Sequence, residues 1–182
     1  KNIIPKMLND GMKMQSYRFD GYWKDVGTLE SLWDANMDML SPESGLDLVD
    51  ESWPIYARSV NAPPTYMGVN SKVTHSALNR GSILEGTVEN SVLSPNIVVG
   101  EGARVSYSVL LPGTVVEAGA VVEYAILGEN CHIGKDCKIG GTPEESGEGW
   151  GLTVLAPECK VEDGRQVAAG VMLGRNGEEV SK

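Results

Sequence analysis

The run Gly21-Tyr22-Trp23-Lys24-Asp25-Val26-Gly27-Thr28 places a carboxylate between β-prone aromatics and a helix start. An aspartate just after an expected strand and just before an expected helix can cap the helix. It can also serve as one carboxylate of a site for a hard divalent cation. Spacing alone leaves both roles for Asp25 open. Trp23 reads as a ring packed under the chain or as the wall of a small-molecule pocket, and Lys24 as a solvated strand residue. His75 and His132 are the two histidines; at a coil corner, His132 is expected to face solvent. Cys131, Cys137 and Cys159 contain no Cys-x-x-Cys pair, so small corner side chains are expected rather than a metal site.

The elements that must position Asp25 lie in residues 1–40, which read as mixed α/β. Ile3, Ile4, Met7 and Leu8 have helical spacing, and Asn9-Asp10-Gly11 is a helix stop. From Met12 to Val26 the pattern is strand-like, and Asp20-Gly21 between Tyr17, Phe19 and Tyr22, Trp23 predicts a hairpin. Thr28 is the expected N-cap of a helix, with Glu30 in its first turn. Leu29, Leu32, Trp33, Asn36, Met37 and Leu40 form its mostly apolar face, and Ser41-Pro42 ends it. Residues 41–70, rich in Pro and Gly, read as a connector.

Beyond residue 70 the chain repeats every 17 residues. Val88, Val105, Val122 and Ile139 align; so do Leu93, Leu110, Leu127 and then Val99, Val116, Ile133. An aliphatic residue about every six, followed by turn formers, is the hexapeptide β-helix pattern. Residues 71–182 are therefore expected to form a left-handed parallel β-helix, making the chain mainly β. Gly100-Glu101-Gly102-Ala103-Arg104 looks like a phosphate loop, but the register makes it a corner. Val73, Leu78 and Leu84 form a less regular first row. Residues 141–151, with Glu144, Glu145 and Glu148, read as a projecting acidic loop, and Gly174 to Lys182 as a polar tail.

The Gly21–Thr28 run and the following Leu29–Leu40 segment resemble the closing part of the catalytic domain of ADP-glucose pyrophosphorylases. The resemblance continues through Pro54-Ile55-Tyr56, Pro63-Pro64 and the Glu85–Ser94 run, and so covers nearly the whole chain. It implies that residues 1–40 are the C-terminal end of an α/β nucleotidyltransferase domain. It further implies an enzyme using Mg²⁺ to make ADP-glucose and pyrophosphate from ATP and glucose 1-phosphate. That activity would serve glycogen or starch synthesis in the cytoplasm. On the same ground Asp25 would be a catalytic Mg²⁺ ligand and Trp23 would help shape the sugar pocket. The family is typically tetrameric and allosteric, so a homo-oligomer is expected, assembled in part through flanks such as Val98-Val99 and Val115-Val116. The family's Gly-rich nucleotide loop has no counterpart here, so the chain is expected to be an inactive piece of a longer protein, beginning at Lys1.

Composition narrows the alternatives. The chain has 182 residues, 25 Asp and Glu against 15 Lys and Arg, and a net charge of −10. Such a balance argues against nucleic acid and anionic membranes as partners. No apolar run reaches the ~20 residues of a membrane span, and no secretion signal opens the chain. Three cysteines suit a reducing compartment. Aromatics are 6% of residues while glycines number 22, which fits thin aliphatic layers joined by turns. Two other readings remain: a non-catalytic regulatory subunit of the same enzyme, and a hexapeptide-repeat acyltransferase using a histidine base. An intact Asp25 motif disfavours the first. The second needs an extension to hold coenzyme A, and the acidic loop suits that polyanion poorly.

Overall fold

A computed structural model describes residues 2–48, 50–56, 60–143 and 151–180. The acidic stretch at 144–150 therefore lies outside the described residues. Three parallel sheets of six strands each wrap into a left-handed β-helix of about six coils. One face carries the inward column Leu84, Val99, Val116, Ile133 and Val161; a second carries Val88, Val105, Val122, Ile139 and Val167. The third carries Leu93, Leu110, Leu127, Leu155 and Leu173. All of these side chains are buried, each contributing roughly 1.5–3 kcal/mol before entropy is subtracted.

The register between successive coils is 15 residues from Val73 to Val88, 17 through the middle and 28 from Ile139 to Val167. Every change of length is absorbed at a corner, and the columns stay aligned. Val73 and Leu78 do pair in register with the regular rows. Paired strands begin earlier, at Tyr66-Met67, within the stretch read as a connector.

Corners need left-handed backbone, and the sequence supplies it in stacked positions. Asn96, Gly113, Asn130 and Glu158 all have positive φ. At Gly113, with φ 76°, an added Cβ would sit 2.3 Å from the Asn130 Oδ1 of the next coil, so a side chain there must displace that amide and adopt left-handed backbone. At another corner, buried serines form a ladder. Ser91 N donates to Ser76 Oγ, Ser108 N to Ser91 Oγ and Ala125 N to Ser108 Oγ, each at 3.1 Å. Each hydroxyl donates in turn to the carbonyl two residues back.

Two helices precede the β-helix: α1 (Ile3–Asn9) and α2 (Leu29–Asp38). Thr28 caps α2 with Glu30 in its first turn, as expected, and Ser31 completes a capping box. The apolar face of α2 lies on the outside of the third sheet. Leu29, Leu32, Trp33 and Met37 pack against Val109, Ile126 and Leu152.

Two expectations need correction. The hairpin at Met12–Val26 does not form: residues 12–27 contain no strand. Tyr17 and Phe19 are 89% and 61% exposed, and an isolated two-stranded hairpin with no sheet to bury such rings is marginal in water. The polar tail, by contrast, is ordered through Val180. It folds back on the last coil, with Gly174 N donating to Glu178 O and Val180 N to Met172 O. Arg165 Nη2 ties it down by donating to Gly177 O at 2.8 Å.

The serine ladder predicts a stability effect. Ser108→Ala leaves the Ala125 N–H with no acceptor inside the coil, and equilibrium denaturation should read a loss of about 1–3 kcal/mol with an unchanged slope.

Candidate functional site

From Gly21 to Asp25, exposed and half-buried residues alternate, and Val26 to Thr28 are exposed. Tyr22 and Lys24 are half-buried; Trp23, at 75%, and Asp25 are exposed. The buried pair is clamped to α2 by a single carboxylate. Tyr22 Oη and Lys24 Nζ both donate to Asp38 Oδ2, at 2.9 and 2.7 Å. Asp34, one turn earlier on α2, lies 3.8 Å from the same ammonium.

The electrostatics follow from this geometry. The hydrogen bond from Lys24 is the main reason the Asp38 carboxyl is held below its ordinary value of 3.8. The same bond lifts Lys24 above 10.5. Burial, then the Asp38 hydrogen bond and charge, raise Tyr22 above 10.0. Lys24 is thus committed to structure. Asp25 and Trp23 are left facing outward, and Thr28 opens α2 three residues beyond Asp25.

Asp25 brings the hard oxygen donors that Mg²⁺ takes, and Mg²⁺ is commonly held by one or two carboxylates together with substrate phosphates. Among the described residues, no group of three or more Asp, Glu, His or Cys gathers around one point. Asp25 therefore offers a carboxylate with the chemistry a hard cation needs, without three such groups gathered around it among the described residues.

The other candidates are absorbed by the fold. Gly100 N donates to Val116 O and Ala103 N to Gly100 O, so amides that could cradle a phosphate are spent on the coil. His132 is exposed, with Nε2 3.2 Å from Glu117 Oε1. His75 bonds Leu40 and Asn90 and lies on a different face. The three cysteines are buried and unbridged. Burial raises all three thiols, Cys131 to about 11, and the Cys131 and Cys137 sulfurs donate to Ala156 O and Glu162 O. These are inert, small core side chains.

Sequence reading passed over Asp34 and Asp38. They stand four residues apart, one turn along α2, away from its apolar face, and that spacing was the available signal.

A parallel β-helix of hexapeptide coils, carrying on its flank a helix and an outward-facing Trp-Lys-Asp segment, defines the class. The family model for the GlmU-like C-terminal hexapeptide matches residues 63–154, and the chain belongs to that family. The nucleotidyl transferase model matches residues 1–42. Among curated relatives, glucose-1-phosphate adenylyltransferase from Clostridium perfringens (strain 13 / Type A) is 51% identical over 140 residues, covering 77% of this chain and 36% of that protein. The enzyme of the same name from Bacillus mycoides (strain KBAB4) is 40% identical over 170 residues, covering 93% of this chain and 41% of that protein. The chain thus spans 36% to 41% of the length of these relatives. The acetyltransferase domain of PglB from Neisseria gonorrhoeae FA1090, solved with acetyl coenzyme A, aligns at TM-score 0.49 and 17% identity over 65% of this chain and 58% of that one.

The Asp38 clamp has a definite pH window. Asp38 is depressed, so its contribution is present above the unfolded value of 3.8 and lost as pH falls through the lower folded value. Lys24 is raised, so its contribution is complete below 10.5 and lost as pH rises through the higher folded value. Carbon-detected NMR titration should place the Asp38 midpoint below 3.8, and Lys24→Ala should move it upward.

Proposed function

We propose that the chain is the C-terminal part of an enzyme that transfers adenylyl from ATP to glucose 1-phosphate, giving ADP-glucose and pyrophosphate. The supporting observation is that identity of 40% to 51% to glucose-1-phosphate adenylyltransferases runs through most of the chain, including both of its parts. In this reading, residues 1–40 close the catalytic domain. Asp25 contributes one carboxylate to a bound Mg²⁺, which neutralises charge as two phosphate-bearing substrates meet. Trp23, exposed beside it, forms part of the sugar pocket. The half-buried residues of the segment orient this pair. Asp38 grips Tyr22 and Lys24, so Trp23 and Asp25 are presented together on the opposite side. The activity serves glycogen synthesis in the cytoplasm.

The β-helix is proposed to act in assembly and regulation of a homo-oligomeric, tetrameric enzyme. Val98 and Val115 face outward in one row with Tyr66 and Ile83, which are both exposed. Val99 and Val116 belong to the core, so only the first residue of each Val pair can contribute.

In the longer enzyme, Asp25→Asn should lower Mg²⁺-dependent ADP-glucose formation by two or more decades, because a metal's share of charge stabilisation is several kcal/mol. Circular dichroism and melting should stay unchanged. Turnover within threefold of the parent enzyme would remove Asp25 from the metal site.

A further inference from the structure

His75, Asn90, Tyr107 and Tyr124 occupy one corner of four successive coils, all with φ between 45° and 48°. This corner faces α2. Trp33 Nε1 donates to Tyr107 O at 2.8 Å, the Trp33 ring lies 6.0 Å from Tyr124, and Tyr124 stacks on Tyr107 at 4.7 Å. These contacts hold the middle of the helix. Its C-terminal end is met by His75, whose Nε2 lies 2.8 Å from the carbonyl oxygen of Leu40 and whose Nδ1 lies 2.8 Å from Asn90 Oδ1.

We infer that His75 is a positioning residue that fixes the C-terminal end of α2, and through it the Tyr22–Asp25 segment, on the β-helix. Three observations carry this. The carbonyls of Met37 and Asp38 at the end of α2 accept from Leu40 N and Ser41 N, and Leu40 O, beyond them, meets the His75 ring. The left-handed backbone that His75 shares with Asn90, Tyr107 and Tyr124 sets its ring where both nitrogens have a hydrogen-bond partner. Asp38, which grips Tyr22 and Lys24, lies two residues before Leu40, so a shift at Leu40 reaches the segment through two residues of backbone.

A carbonyl only accepts, so a bond from His75 to Leu40 O needs the proton on Nε2. Nδ1 can accept from the Asn90 amide or donate to its oxygen, according to how that amide is turned. The consequence for Asp25 rests on the adenylyl-transfer reading; the placement of α2 does not.

Two variants separate latch from corner in the 182-residue chain. His75→Asn keeps a residue suited to left-handed backbone but is too short to reach Leu40. His75→Gln retains an amide N–H at nearly the reach of Nε2. Nitrogen-15 NMR of the unaltered chain should show Nε2 protonated. Amide exchange in residues 29–38 should quicken by roughly five- to tenfold in His75→Asn, the opening expected from losing one hydrogen bond. Exchange in residues 98–127 should be unchanged, the Asp38 carboxyl resonance should shift, and His75→Gln should recover at least half of the effect. An Nδ1–H tautomer, α2 exchange unaltered in His75→Asn, equal loosening of residues 98–127, or no recovery in His75→Gln would each overturn the assignment. No arm reads Mg²⁺ or turnover, so its failure is distinct from failure of the enzymatic reading.

Discussion

A strand of two or three residues cannot stand alone, and this constraint governs the whole molecule. Each strand finds its backbone partners in the coil above and below. Val115 N donates to Cys131 O, and Val121 N to Cys137 O, one coil further on. The same stacking sets aliphatic residues over one another without any coil closing a core by itself. Corners follow the same rule: Gly113 N donates to Pro95 O, Asn130 N to Pro112 O and Tyr107 N to Glu89 O, each in the preceding coil, while serine hydroxyls take further amides. No buried side-chain N or O lacks a partner among the described residues.

This constraint explains why some features were legible in the sequence and others were not. A stacked coil must repeat its residue types, so the columns through Val105, Leu110 and Val116 could be counted directly. Doublets such as Val109-Leu110 and Ile126-Leu127 carried more than was taken from them. Two adjacent aliphatics on a strand face opposite ways, and both are buried here. The outer row therefore had to be covered, and the apolar face of α2 was waiting nearby. The hairpin was misread for the opposite reason. Its Asp-Gly signal is local, whereas a strand's stability depends on the sheet it joins. The fold-back after Leu173 is held by backbone groups and by Arg165, which lies outside it, so the tail's own residue types give little sign of it.

The site shows the same division. Asp25 and Trp23 stand out because their neighbours form a recognisable run. What orients them is less visible. Asp38 lies 14 residues from Lys24, and its two hydrogen bonds set which side of the segment faces outward. The residues that present a site are here the unremarked polar ones on the far side of a helix. The aromatic corner of the β-helix then holds that helix by its apolar face.

The turn at Gly174 to Val180 has a consequence of its own. Stacked parallel strands have no intrinsic last member; the final strand exposes the same row of amides and carbonyls as every strand before it. By running antiparallel, with Glu179 bridged to Leu173, the chain changes direction at that edge. A further parallel strand, its own or a neighbouring molecule's, finds the edge of the third sheet already occupied at Leu173. Reversal of strand sense thus acts as a terminator for that sheet.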